Sequence, residues 1–287
     1  MITAIVLAAL GGASSVREGY RLRVSVGGGP AHVVQIDTGS VGVVVPRSVL
    51  GSGARDAGTS GRIEYTSSGK IFTGEYYIAP LRIADAAGRY VRTTPIRILA
   101  IDAASCDTAH HPSCVAPRSL GGVGMMGVGF ARGTASPANN AFLHATDPAG
   151  RALAPAYIVR ADAIVLGAGS AEERGFAMAR LTRGSDDWNA AAACFRVPAR
   201  YCGTVLVDTG IAGAIVRIPK GGRPLSPAGV EVDVPADGSA LAFRIVAPVR
   251  WSGAAGPPFI NTGRSVLGAY DYLYDARVGA IGFLRRP

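Results

Sequence analysis

The chain has 287 residues and a formal charge of +9, and among its 29 basic residues only Lys70 and Lys220 are not arginine. The arginines are scattered singly, with no basic helix and no aromatic-interleaved cluster, so the charge reads as a solvated surface and nucleic acid is not expected as a partner. A chain of this length buries a large core as one big or two medium domains, and 39 glycines and 18 prolines beside 48% hydrophobic residues favour many strands and turns over long helices.

In chain order, residues 1–16 open as an apolar run followed by small residues, which fits either a signal-like segment without a preceding Lys or Arg, or an N-terminal strand. The run is far shorter than the roughly 20 residues a membrane helix needs, no later stretch qualifies, and no membrane span is expected. Tyr20 to Val26 alternates as a strand, Gly27 to Pro30 turns, and His32-Val-Val-Gln-Ile-Asp37 follows as an apolar run ending in Asp37-Thr38-Gly39-Ser40. Such a run, rich in β-branched residues, predicts a strand buried on both faces that delivers Asp37 at its end, beside a glycine that lets the chain turn. An ionised Asp buried there costs several kcal/mol unless donors reach it, and Thr38 and a glycine N–H are short-range donors. A Gly/Ser-rich loop is expected around residues 51–61, then a hairpin over 62–77 with its tip near Thr66 to Gly69, and further short strands over 76–101.

The stretch Gly121 to Gly129 contains Gly122-x-Gly124-x-x-Gly127, but no clear strand precedes it, no convincing helix follows, and no acidic residue stands at the right distance, so no dinucleotide and no other cofactor is expected. Residues 145–155 have linker composition and divide the chain into 17–150 and 151–287. In the second part strands are expected at Ala156 to Val159 and Ala163 to Leu166, and Gly203-Thr-Val-Leu-Val-Asp208-Thr209-Gly210-Ile211 repeats the earlier motif. Tyr270 to Asp275 and Val278 to Leu284 read as paired closing strands. One Asp-Thr-Gly would be an ordinary strand-to-turn junction; two in equivalent contexts, each followed by a second apolar run ending in proline (Val43 to Pro46, Ala214 to Pro219), form an internal repeat.

The four cysteines fall into two close pairs, Cys106/Cys114 and Cys194/Cys202, which suggests two short-loop disulfides and an exported, oxidising setting. Cys106, His110, His111 and Cys114 also offer a zinc reading. Adjacent histidines diverge and the span is cramped, so the disulfide is preferred and no metal is expected.

From about Tyr20 to Leu284 these residues resemble a pepsin-type aspartic peptidase. Asp37 to Pro46 resembles the first active-site loop of that family, and Asp208-Thr209-Gly210 the second. Tyr65, with Ile63 before it and Gly69 and Thr73-Gly74 after it, resembles the tyrosine of the flap that closes over a bound peptide. Met125-Met126-Gly127 and Val266-Leu267-Gly268 resemble the apolar-apolar-Gly elements that brace each loop, and Cys194/Cys202 a small disulfide loop ahead of the second motif. The resemblance implies an all-β, bilobal acid-protease fold of two related β-barrel-like lobes with the cleft between them, in a monomer that takes a peptide or protein substrate. It implies catalytic roles for Asp37 and Asp208, supporting roles for Thr38, Gly39, Ser40, Thr209 and Gly210, and contact with an extended substrate by Tyr65, Thr66, Ser67, Val44 and Ile211.

Three features depart from the family. The usual tryptophan after the first motif is Val44, which leaves the Tyr65 hydroxyl without its family partner. The usual hydroxyl residue after the second motif is Ile211, which cannot donate to Asp208, so a less acidic carboxyl pair is expected. The second half is also short after Asp208. A catalytically inactive binding module of the same fold is the alternative function. A serine hydrolase is disfavoured because no Gly-x-Ser-x-Gly elbow occurs.

Overall fold

Short β-branched and apolar runs separated by glycine and proline turns give a chain built from strands. The computed structural model describes residues 3–132, 136–197, 199–219, 229–237, 239–246, 248–252 and 255–287. Among them, helix is limited to Ser15–Glu18 and five short 3-10 turns, so the protein is all-β, with sheets that curl into half-barrels. A ten-stranded sheet is drawn from residues 21–146, a seven-stranded sheet from 191–261, and a six-stranded sheet from 156–180, 270–285 and the N-terminal strand Ile5–Ala8.

The first two sheets share a topology. In the first, the strand carrying Asp37, His32–Asp37, runs parallel to Met125–Val128, which is antiparallel to Val41–Pro46, which in turn runs parallel to Ile96–Cys106. In the second, Ala199–Leu206 runs parallel to Phe259–Asn261, which is antiparallel to Ala214–Arg217, which runs parallel to Val249–Trp251. Two more strands extend each motif strand outward in antiparallel fashion: Arg21–Val26 and Leu81–Ala84 in the first sheet, Ala191–Val197 and Val230–Ala236 in the second. Six strands thus recur in the same spatial order and the same chain order, which extends the repeat seen in sequence from two tripeptides to the whole framework around them.

The repeat also corrects the sequence reading of its bracing elements. Val44 faces Met125 across one ladder and Ile215 faces Asn261 across the other, each seven residues beyond its aspartate. The counterpart of Met125-Met126-Gly127 is therefore Asn261-Thr262-Gly263, and Val266-Leu267-Gly268 belongs to a 3-10 turn, Ser265–Gly268, whose Val266 and Leu267 fill the core.

Residues from Arg55 onward, expected as loop, form a strand. The hairpin runs over Arg55–Tyr65 and Lys70–Ala79 with a bulge between Asp56 and Ser60, and its tip falls at Thr66 to Gly69 as expected. Its first strand is the outermost of the ten, so polar and glycine residues are tolerated there. The expected linker likewise opens with a short strand, Ala145–Thr146, paired to Tyr90–Thr93. Ile5–Ala8 pairs with Ala163–Leu166 and buries Leu7 completely, so the first apolar run is a strand here; Met1 and Ile2 lie outside the described residues, as does Lys220.

Both cysteine pairs are disulfides. Cys194 and Cys202 sit opposite each other on neighbouring strands, and the Cys106–Cys114 bond occupies the two thiols a zinc site would need. Each bond closes a loop with a sequence separation of 8. Loop closure over so short a span predicts a contribution of about 2.5 kcal/mol each. Intact mass should fall four hydrogens below the all-thiol value, and Cys194→Ser with Cys202→Ser should lower stability by about that amount in denaturant titration.

Candidate active site

Asp37 ends its strand, and the chain turns at Thr38 and Gly39; Asp208 lies two residues beyond the end of Ala199–Leu206, and the chain turns at Thr209 and Gly210. The two turns interlock. Thr38 Oγ1 donates to the Val207 carbonyl (2.6 Å) and Thr209 Oγ1 donates to the Ile36 carbonyl (2.7 Å). Each hydroxyl also accepts from the opposite backbone N–H, Thr209 N at 3.0 Å and Thr38 N at 2.9 Å. Both threonines are buried. This lattice presses the turns together so closely that a Cβ on Gly39 would collide with the Asp208 carboxyl group, and one on Gly210 would lie 2.6 Å from Asp37 Oδ1. Glycine is required at both places for that close approach.

The two carboxyl groups are close neighbours, since that same Cβ on Gly210 would also lie 2.9 Å from Asp208 Oδ1; they are 5% and 6% exposed and line a cleft of about 1450 Å³. Asp37 accepts from the Gly39 N–H (2.7 Å) and the Ser40 hydroxyl (2.6 Å). Asp208 accepts from the Gly210 N–H (2.8 Å) and, in place of any hydroxyl at Ile211, from Asn261 Nδ2 (2.7 Å). The Asn261 amide has one orientation, because its Oδ1 accepts the Gly263 N–H at 2.8 Å. The donor missing at Ile211 is thus supplied from the opposite strand, which corrects the expectation of an unsupported second carboxylate. Burial above all, and then the Asp208 charge, push the Asp37 carboxyl from 3.8 up to about 7, against the lowering effect of Ser40 and Gly39.

The hairpin tip borders the same cleft as this pair. Tyr65, Thr66 and Ser67 line the cleft, as does Ile211 opposite. Tyr65 packs edge-on against Phe72 (5.9 Å), and its hydroxyl has no hydrogen-bond partner among the described residues, as the Val44 replacement leads one to expect. Burial, and then the Asp37 charge, raise the hydroxyl's pKa well above the phenolic value. Val44 itself does not reach the cleft; it is buried beneath Tyr65 with Phe72, Leu99 and Ile101. The Cys106–Cys114 loop props the base of the tip, where Asp107 N donates to the Gly69 carbonyl at 2.8 Å. Arg250 Nη2 reaches the Ser67 carbonyl at 3.4 Å from the other sheet.

No family model matches the chain, and no curated protein matches it.

Sequence reading missed three site residues. Asn261 is separated from Asp208 by 53 residues and sits in a segment with no motif of its own. Gln35 crosses between the sheets, its Nε2 donating to the Gly210 carbonyl at 2.9 Å. Arg264, 5% exposed, ties the second turn to the N-terminal helix: Nη1 donates to Thr209 O, Nε to Val16 O and Nη2 to Arg17 O. Polar residues inside an apolar strand, as in the Ile260-Asn261-Thr262 run, were the available signal for the first.

Two outcomes follow from this electrostatic arrangement. Because the folded chain holds the Asp37 proton more tightly than the unfolded one, stability should fall as pH rises from about 4 to about 7, and Asp37→Asn should flatten that slope in melting curves taken across the range. Removing the Asn261 donor takes a hydrogen bond from the buried Asp208 carboxyl: a hydrogen bond to a charge is worth about 1.5–3 kcal/mol, so Asn261→Ala should lower stability in denaturant titration by about that amount. Adding Ile211→Thr to that variant should recover part of the loss, whereas Ile211→Thr alone should change stability little.

Proposed function

We propose that this chain is an aspartic endopeptidase of pepsin-like, two-lobed design, which hydrolyses peptide bonds with a water activated between Asp37 and Asp208. The observation that carries the reading is the buried carboxyl pair, held in contact by symmetric backbone locks in a cleft with a hairpin over it. Two carboxyl groups this close share one proton, because ionising both in a poorly solvated site is costly, and aspartic proteases as a class work with a pair in that state. The ionised member removes a proton from the water as its oxygen attacks the scissile carbonyl carbon. The protonated member donates to the carbonyl oxygen as negative charge develops there. In the resulting tetrahedral adduct the carboxyl that took the water proton passes it to the nitrogen, the C–N bond breaks, and the other carboxylate takes a proton back from an adduct hydroxyl as the product carboxyl forms, so the pair again holds one proton.

The extended cleft suits a peptide in strand conformation, with Thr66 and Ser67 offering hairpin backbone groups above it and Tyr65 excluding water from the carboxyl pair. The two disulfides accord with an exported protein.

Turnover of a denatured-protein digest, with cleavage sites read by mass spectrometry across a pH series, tests the reading. Asp37→Asn and Asp208→Asn should each abolish cleavage with the fold retained. Tyr65→Ala should lower kcat/KM, while Tyr65→Phe, which removes only an unpaired hydroxyl, should keep most of it. Residual turnover in either Asn variant rejects the mechanism. The alkaline limb of activity should lie near pH 7, above which the shared proton is lost.

A further inference from the structure

Arg132 lines the same cleft as Asp37 and Asp208, and the chain is bent to bring it there. Ala131, immediately before it, is the one non-glycine residue with positive φ among the described residues, at 54°. Left-handed backbone is unfavourable for alanine, and such strain persists only where the surroundings enforce it. Here they do so from three sides. The Phe130 ring stacks on Tyr274 with centroids 4.5 Å apart, Asp187 Oδ2 accepts the Ala131 N–H at 2.9 Å, and Arg132 Nε turns back to the Phe130 carbonyl at 2.8 Å.

That last bond uses the inner nitrogen of the guanidinium and leaves its two terminal nitrogens without a hydrogen-bond partner among the described residues. Nor does Arg132 form an ion pair with Asp37, Asp208 or Asp187, although Asp208 exerts the strongest charge effect on it and Asp37 a weaker one. Burial is the main influence and draws its pKa below the usual arginine value, against the raising effect of the Asp208 charge, as expected of a cation partly withdrawn from water. The rest of the lining leans the same way. Lys70, Arg217 and Arg250 face the cleft, while the acids outside the pair are occupied: Glu64 by Arg62 at 2.6 Å and Asp107 by His110 at 2.8 Å.

We propose that Arg132 is a specificity-determining residue that binds a substrate carboxylate beside the scissile bond, so that the cleft selects acidic peptides. The inference rests on the peptidase reading above. A guanidinium whose two terminal nitrogens have no hydrogen-bond partner among the described residues presents the planar fork that a carboxylate fills with two parallel hydrogen bonds, and such a ligand adds a counter-charge in direct contact. The carboxylate has two possible sources, a Glu or Asp side chain or the peptide C-terminus.

The test uses the full chain and a set of synthetic peptides alike except for Glu or Gln beside the cleaved bond, each made as the free acid and as the C-terminal amide. The native protein should cleave carboxylate-bearing peptides with kcat/KM about tenfold or more above their neutral counterparts, as a charge-assisted pair predicts. A gap between Glu and Gln assigns a side chain; a gap between acid and amide assigns the terminus. Arg132→Met should bring the ratio close to one, and Arg132→Lys should keep part of it. Equal cleavage of all four peptides by the native protein overturns the inference and leaves the peptidase reading standing. Cleavage of none of them, nor of the digest mixture, overturns both. An Arg132→Met protein that keeps the ratio but shifts its pH profile shows Arg132 to be a counter-ion of the carboxyl pair and also overturns the inference. The native ratios need no variant, so the inference stays open to refutation even if Arg132→Met fails to fold.

Discussion

Two carboxyl groups can be kept side by side only by a backbone that cannot retreat, and in this protein the Thr38–Thr209 lattice imposes that condition. Four buried hydrogen bonds join strand ends from separate sheets, and each threonine hydroxyl serves as donor and acceptor at once. Removing either hydroxyl would strand a buried carbonyl and a buried N–H together, which is far costlier than losing one bond with both partners free to reach water. Because the two locks are related by the repeat, neither sheet can move relative to the other at this point without breaking both. The glycines beside the aspartates, the bracing strands and the Gln35 crossing all take their positions from that contact.

The features legible in the sequence were local ones. The strands leading to Asp37 and Asp208 announced themselves through β-branched runs, although they are not buried on both faces as expected: Val33 is 44% exposed, and in Ala199–Leu206 only the last two residues are buried. The hairpin tip was legible through Thr66 to Gly69, and the disulfides through short spacing. Features decided by long-range partners were not legible. The true counterpart of Met125-Met126-Gly127 is polar at two of its three positions, so a search for two apolar residues and a glycine found the 3-10 turn at Val266 instead. Residues 55–61 have loop composition because an outer strand needs little apolar surface, and Arg132 gains its place from a backbone angle at Ala131 that no residue type signals.

Val44 and Ile211, neither of which can donate a hydrogen bond from its side chain, leave their polar neighbours in unlike situations. Beside Ile211, the Asp208 carboxyl accepts from Asn261 on the facing strand, in an orientation fixed by Gly263. Above Val44, the Tyr65 hydroxyl has no partner among the described residues, and the ring is held by its edge contact with Phe72 and by the apolar cluster below. The carboxyl pair is thus tethered directionally, while the tyrosine is held by non-directional packing. Hairpin position therefore depends on the disulfide loop at its base and on Arg250 reaching across from the second sheet.

Arg264 binds the carbonyls of Val16, Arg17 and Thr209 at once, and the strand just ahead, Ile5–Ala8, pairs with Ala163–Leu166. Contacts between residues some 250 positions apart give such a chain a high contact order, the property that most slows folding. On a ribosome the opening strand would emerge well before its partner, and the support behind Thr209 would form only after Arg264 had followed. Assembly of the carboxyl pair is then a late event, so a half-made chain carries the first aspartate and the hairpin while the second carboxyl group still lacks its place beside them.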